Sequence, residues 1–149
     1  MAAPFLDQFT ETYIIHAVRH PIRVINSFCN HIRYFIWTNS ENVYEKFIYS
    51  IVPELKEPMP QYDRAALYYL KWNEMIEKNK IDLFVRVEDD SVDLLKFFGL
   101  SKDTPHFADT TANTYRRTNV ERFTIDQIEN LQIKDLKKCN AKFKFILED

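Results

Sequence analysis

Glycine is nearly absent from this sequence. Gly99 is the only glycine among 149 residues, whereas average usage of about 7% would give roughly ten. Phosphate-binding loops built on several glycines are therefore excluded, including the Walker A motif and the GxGxxG fingerprint of dinucleotide-binding proteins. A nucleotide site in this chain would have to bind phosphate without a glycine-rich loop.

The chain also lacks a net positive charge and long apolar runs, and it has few cysteines. The formal net charge is −2, so no global positive field attracts nucleic acid and any anion site must be local. Two cysteines, Cys29 and Cys139, have no partner motif, which favours a reducing compartment, and we predict a cytoplasmic protein. We expect no signal peptide and no membrane partner, since no basic segment precedes an apolar one and no apolar run approaches about 20 residues.

The residues that are present predict one globular α/β domain spanning 1–149. Hydrophobic residues make up 46% of the chain and charged residues 28%, a balance typical of folded domains of this length. Periodicity and turn signals predict strands over 12–18 and 81–90 and helices over 21–37, 41–52, 62–80 and 91–98, the last ended by Gly99. A polar loop over 101–119 precedes two further helices, from 124 and from about 134. This order predicts a small parallel sheet flanked by helices.

The segment VRHPIRVINSF places chemistry at the end of the first predicted strand. Arg19 ends the strand, Pro21 suits the first position of a helix, and Ser27 falls on that helix's polar face. Ligands of open α/β sheets bind at the carboxyl ends of strands, and an arginine can grip a phosphate through two charge-assisted hydrogen bonds. A second interpretation stays open, in which Arg19 pairs with a neighbouring carboxylate and Ser27 is only solvated.

This segment resembles the 3′-phosphate-binding segment of the sulfotransferases that use 3′-phosphoadenosine 5′-phosphosulfate (PAPS). In that family a strand ends in Arg, a short turn commonly holds Pro, and a Ser follows eight residues after the Arg. The stretch YYLKWNEMIEKNKIDLFVRVEDD is similar to the family's Trp-bearing helix and the strand that ends in Tyr-Glu-Asp-Leu. LLKFFGL resembles the Phe-Leu-Gly-Leu that comes next, and NTYRRTN stands where a basic cofactor-contacting loop is often found. The resemblance covers roughly residues 12–131.

The resemblance implies a P-loop-like sulfotransferase fold. It implies that Arg19 and Ser27 hold the 3′-phosphate of PAPS, or of its product adenosine 3′,5′-bisphosphate, with Arg116 or Arg117 adding charge. The reaction would move a sulfuryl group from PAPS to a hydroxyl or amine of a small-molecule or glycan acceptor. No metal is expected, because the four histidines show no metal-ligand spacing.

Several other residues have structural interpretations that we favour. Glu88 and Asp89 are expected to end the second strand and cap the next helix. Trp72 is expected in the core rather than as an adenine platform, and His16 as a core residue whose polar atoms have partners.

The sequence departs from the family at its beginning. Sulfotransferases open with a loop resembling Pro-Lys-Ser-Gly-Thr-Thr, which binds the 5′-phosphosulfate, and their catalytic base also precedes the Arg-to-Ser segment by tens of residues. Here eleven residues precede the first predicted strand, so we expect an incomplete domain without the phosphosulfate-loop unit, and no residue is predicted to be catalytic; Asp7 and Glu11 are not placed in the base's role.

Three explanations stay open. The chain is part of a sulfotransferase, from a partial or split gene; or it is a degenerate relative that binds a nucleotide without catalysis; or it is a non-catalytic protein-interaction domain that matches by chance. In the first case we expect self-association through an exposed sheet edge.

Overall fold

The computed structural model describes residues 3–30, 43–87 and 92–100, with only the backbone at 30, 92 and 93. Within these ranges the fold is mixed α/β, which confirms the predicted class at that level. The elements in chain order are a 3-10 helix (Ala3–Gln8), β1 (Ile15–Val18), α1 (Pro21–Asn30), α2 (Val43–Ile51), a second 3-10 helix (Pro53–Lys56), α3 (Gln61–Glu77), β2 (Leu83–Arg86) and α4 (Val92–Phe97).

The two strands pair in parallel, as predicted. Ile15 lies opposite Leu83 and Val18 opposite Arg86. β1 is shorter than the predicted 12–18, because the backbone N–H of Ile14 donates to the Asp82 carboxylate at 2.8 Å and not to a strand neighbour. β2 is likewise shorter than the predicted 81–90, of which 88–90 lie outside the described residues.

Helix α1 begins where the sequence predicts, at a buried Pro21. Its first backbone bond runs from the N–H of Val24 to the carbonyl of His20, at 3.1 Å. Ile25 is fully buried against Ala65 and Ala66 of α3, and these three residues with Tyr69 form the first core cluster. The predicted continuation of this helix from 31 to 37 lies outside the described residues.

A second core cluster joins α2, the second 3-10 helix and α3. Its buried members are Ile48, Val52, Leu55 and Tyr68. The sequence predicts that Pro53 ends the helix and that 55–61 form a proline-punctuated loop, whereas 53–56 form a 3-10 turn, in which the Leu55 N–H donates to the Val52 carbonyl at 3.1 Å. Burial of the Leu55 side chain in this core, where it is 0% exposed, stabilises the turn.

The ends of α3 and α4 differ in how well the sequence predicts them. α3 spans Gln61–Glu77, three residues short of the predicted end at 80. α4 stops at a left-handed Gly99, with φ of 68°. The N–H of Gly99 donates to the Lys96 carbonyl at 2.9 Å and that of Leu100 to Leu95 at 2.8 Å, which confirms Gly99 as the residue that ends the helix. None of the helices in the described ranges is long and apolar enough to cross a membrane.

Candidate functional site

The predicted site residue Arg19 lies at the carboxyl edge of the parallel strand pair. It follows directly after β1, and its side chain is exposed. The N–H of Val87 donates to the carbonyl of Val18 at 2.8 Å, so the two strands stay paired up to the point where Arg19 leaves the sheet. Ligands of α/β folds bind at this edge, so the position suits an anion-binding arginine.

The N-terminus of α1 opens at the same edge. Only Arg19 and His20 separate β1 from the helix. The first turn of any α-helix leaves backbone N–H groups without intrahelical partners, and here those of Ile22 and Arg23 follow Pro21, which has none. With the helix dipole they add partial positive charge at the edge of the sheet where Arg19 follows β1.

The predicted partner Ser27 lies in the second turn of α1 and is half-buried. It is four residues beyond Arg23, so both residues share one face of the helix. Ser27 is also six residues beyond Pro21, or about 9 Å along the axis at the α-helical rise. One phosphate can therefore contact both predicted residues only if the Arg19 side chain extends along this face of α1.

The backbone of Arg19 is held from α3 by a contact that the sequence did not reveal. The Tyr69 hydroxyl donates to the Arg19 carbonyl at 3.1 Å. Asn73, one turn later, donates from Nδ2 to the Tyr69 carbonyl at 2.7 Å, and its Oδ1 lies 2.9 Å from His16 Nε2. Because Nδ2 is used as the donor, Oδ1 must accept from a protonated Nε2.

His16 is 3% exposed and hydrogen-bonded to Asn73. This confirms the prediction of a core histidine whose polar atoms have partners.

The sequence carries only a faint signal for the Tyr69 contact, since a tyrosine among several aromatics on α3 does not reveal which hydroxyl turns to the sheet edge.

A second arginine at the edge was also missed. Arg86 is the last residue of β2 and lies opposite Val18 in the register. Its side chain is half-buried, on the same face of the sheet as Val18 and His16. The edge thus carries two arginines, Arg19 and Arg86, from the two paired strands. The sequence placed Arg86 inside the predicted strand 81–90 and not at its end, so no local signal marked it as an edge residue.

Other predicted residues fall elsewhere. Trp72 packs against the second core cluster, with its ring centroid 4.9 Å from that of Tyr68, which confirms the prediction that it is a core residue. Glu88 and Asp89 lie outside the described residues, as does the loop that carries Arg116 and Arg117. Their predicted roles stay predictions.

A cleft of about 530 Å³ lies at the opposite, amino-terminal edge of the sheet. Its lining includes Asp7, Glu11 and Asp82, and Asp82 Oδ1 lies 3.6 Å from Lys80 Nζ. Residues before both strands form this cleft, so the sheet separates it from Arg19. The structure therefore keeps Asp7 and Glu11 away from the predicted phosphate site.

Cys29 is unsuited to nucleophilic chemistry at neutral pH. Its side chain packs against the first core cluster, and burial raises the pKa of its thiol to about 11. The reactive thiolate is therefore scarce at pH 7. Across 3–30, 43–87 and 92–100, no group of three or more His, Cys, Asp or Glu residues could hold a metal ion.

Comparison of the chain with protein-family models, with curated proteins and with solved structures found no match.

Proposed function

We propose that this chain is a sulfotransferase-like domain that binds PAPS or adenosine 3′,5′-bisphosphate through the 3′-phosphate. The observation that carries the proposal is the position of Arg19, exposed at the carboxyl end of a parallel strand and two residues before the N-terminus of α1. Ser27 follows on the same helix at the spacing of the family's phosphate-binding segment.

The charge at this edge favours a phosphate dianion over a neutral ligand. An arginine is protonated at any working pH and can donate two parallel hydrogen bonds to phosphate oxygens. The N–H groups of the first turn of α1 and the charge of Arg86 add to this local field. An overall charge of −2 confines the attraction to this edge, which fits a small anionic ligand rather than a nucleic acid.

We propose the transfer reaction itself only together with a phosphosulfate-binding loop and a catalytic base. Moving a sulfuryl group to a hydroxyl or amine requires charge stabilisation on that group and a base beside the acceptor. The residues described at the Arg19 edge would hold the far end of the cofactor. The acceptor would be a small molecule or a glycan, and we place the protein in the cytoplasm.

A non-catalytic protein-interaction domain is the alternative. Exposed apolar side chains favour it, since Tyr13 is 76% exposed, Val87 57% and Phe98 56%. A folded chain that binds no nucleotide would favour this alternative, whereas a mass by light scattering that rises with concentration would match the self-association expected of a partial sulfotransferase.

The Ser27→Ala variant tests the proposed contact with the phosphate. We expect it to weaken binding of adenosine 3′,5′-bisphosphate by about 0.5–1.5 kcal/mol, the net contribution of one hydrogen bond. Calorimetric titration at fixed pH and salt measures the change.

Ser50→Ala is the matched control for this variant. Ser50 is an exposed serine of α2 whose hydroxyl donates to the Phe47 carbonyl at 2.7 Å, and its loss is expected to leave nucleotide affinity unchanged. Equal affinities for Ser27→Ala and the unmodified chain would remove Ser27 from the site.

A further inference from the structure

We propose that Tyr69 is a positioning residue for the anion site, and that its hydroxyl fixes the turn from which Arg19 and the N-terminus of α1 face a ligand. This inference rests on the proposed function, because the ligand is the 3′-phosphate proposed above. It adds a residue from α3 to a site whose other residues come from the β1–α1 segment and, in the case of Arg86, from the end of β2.

The Tyr69 hydroxyl contacts the β1–α1 segment at the turn that sets the direction of the Arg19 side chain. The turn between β1 and α1 has two residues, Arg19 and His20. The Tyr69 hydroxyl donates to the carbonyl between them, at 3.1 Å. Fixing this carbonyl fixes the plane of the peptide that joins the two residues. The direction in which Arg19 leaves the backbone and the approach of the chain to Pro21 both depend on that plane.

Packing and hydrogen bonding leave Tyr69 little freedom. The residue is 5% exposed and belongs to the first core cluster with Ile25, Ala65 and Ala66. Its own carbonyl accepts from Asn73 Nδ2 at 2.7 Å. A buried hydroxyl with its ring packed this closely holds one orientation, so it can impose that orientation on the turn.

The hydrogen bonds form a closed circuit between β1 and α3. His16 of β1 binds Asn73 at 2.9 Å, Asn73 binds the backbone of Tyr69, and Tyr69 returns to β1 at Arg19. The two ends of the circuit lie three residues apart in the chain, His16 in β1 and Arg19 directly after it. Apolar packing alone would allow α3 to slide against the sheet, whereas a satisfied polar circuit specifies one alignment of α3 with the carboxyl end of β1.

This arrangement predicts a loss of phosphate recognition without general damage to the fold. Tyr69→Phe keeps the packed ring and removes only the oxygen. A merely structural role would lower the affinity for every nucleotide together. A positioning role lowers the affinity for adenosine 3′,5′-bisphosphate and leaves the weaker binding of adenosine 5′-monophosphate unchanged, because only the former carries the phosphate that Arg19 holds.

The experiment compares Tyr69→Phe with Tyr68→Phe in the full chain. Tyr68 is the neighbouring buried tyrosine, 6% exposed in the second core cluster, and its hydroxyl bonds to Tyr44. Calorimetry measures the affinities for both nucleotides. Hydrogen exchange, measured without ligand, reports on the Val24 N–H, which bonds to the His20 carbonyl at 3.1 Å.

We expect Tyr69→Phe to reduce the affinity for adenosine 3′,5′-bisphosphate by roughly 2- to 12-fold, the range for one hydrogen bond, and to speed exchange at Val24. Tyr68→Phe should change neither quantity. Unchanged affinity and unchanged exchange in Tyr69→Phe, or equal losses for both nucleotides, would overturn the proposal.

Two further results have defined meanings. If the unmodified chain binds no nucleotide, the proposed function fails, and exchange at Val24 alone decides whether Tyr69 fixes the turn. If Tyr69→Phe does not fold, Asn73→Ala replaces it, since removing the amide loosens Tyr69 and should shift both readouts in the same direction. No shift in that variant would contradict the proposal.

Discussion

The Ile25→Ala variant is expected to lose about 2–5 kcal/mol of its free energy of unfolding, the range for truncating a buried isoleucine. Ile25 is 0% exposed and faces Ala65 and Ala66 of α3, with Tyr69 beside them. Two alanines cannot move far enough to fill the space that the larger side chain leaves. Urea unfolding followed by circular dichroism measures the loss.

Val43→Ala is the control for this prediction. Val43 lies at the start of α2 and is 82% exposed, so its truncation is expected to change the free energy of unfolding by less than about 0.5 kcal/mol. A loss for Ile25→Ala as small as that of the control would mean that α1 does not pack on α3 through this residue. The packing of α1 on α3, on which the described position of Arg19 depends, would then be wrong.

The Arg19→Ala variant is expected to weaken binding of adenosine 3′,5′-bisphosphate by about 1.5–3 kcal/mol, the scale of a charged hydrogen bond. The exposed guanidinium can be removed without opening a core cavity, so the free energy of unfolding should change by less than about 0.5 kcal/mol. Titration calorimetry and urea unfolding together separate the two effects.

Two further variants sharpen this test. Lys56→Ala removes the same charge from an exposed position on the second 3-10 helix, and we expect it to leave the affinity unchanged. Arg19→Lys keeps the charge but loses the planar pair of donors, so we expect an affinity between those of Arg19→Ala and the unmodified chain. An Arg19→Ala affinity equal to that of Lys56→Ala would remove Arg19 from the site.

Within the described ranges, local sequence patterns were sufficient to predict the order of the strands and α-helices, but not their lengths or the two 3-10 helices. The apolar run at 12–18 predicts a strand, yet β1 starts at Ile15, because the Asp82 carboxylate takes the N–H of Ile14. That contact joins residues 68 positions apart, which no local pattern encodes. The 3-10 turn at 53–56 was missed for a related reason, since Pro53 and the two prolines that follow the turn indicate a loop, while the burial of Leu55 depends on α3.

The residues of the candidate site likewise include some that local sequence patterns predict and others that only the tertiary structure reveals. Arg19, Pro21 and Ser27 lie within one strand-turn-helix segment, so their shared placement at the carboxyl edge could be predicted from the sequence. Tyr69 lies on α3 and Arg86 at the end of β2, so both come from elements far along the chain from Arg19. Their contribution depends on the register of β2 against β1 and on the rotation of α3, which tertiary packing sets.

The most direct test of the central proposal is a calorimetric titration of the full, folded chain with adenosine 3′,5′-bisphosphate and, separately, with adenosine 5′-monophosphate. The two ligands differ only in the 3′-phosphate that Arg19 and Ser27 are proposed to hold. We predict that the bisphosphate binds at least about tenfold more tightly, a difference of about 1.4 kcal/mol. Equal affinities, or no binding of either nucleotide to a chain shown to be folded by circular dichroism, would contradict the proposed function.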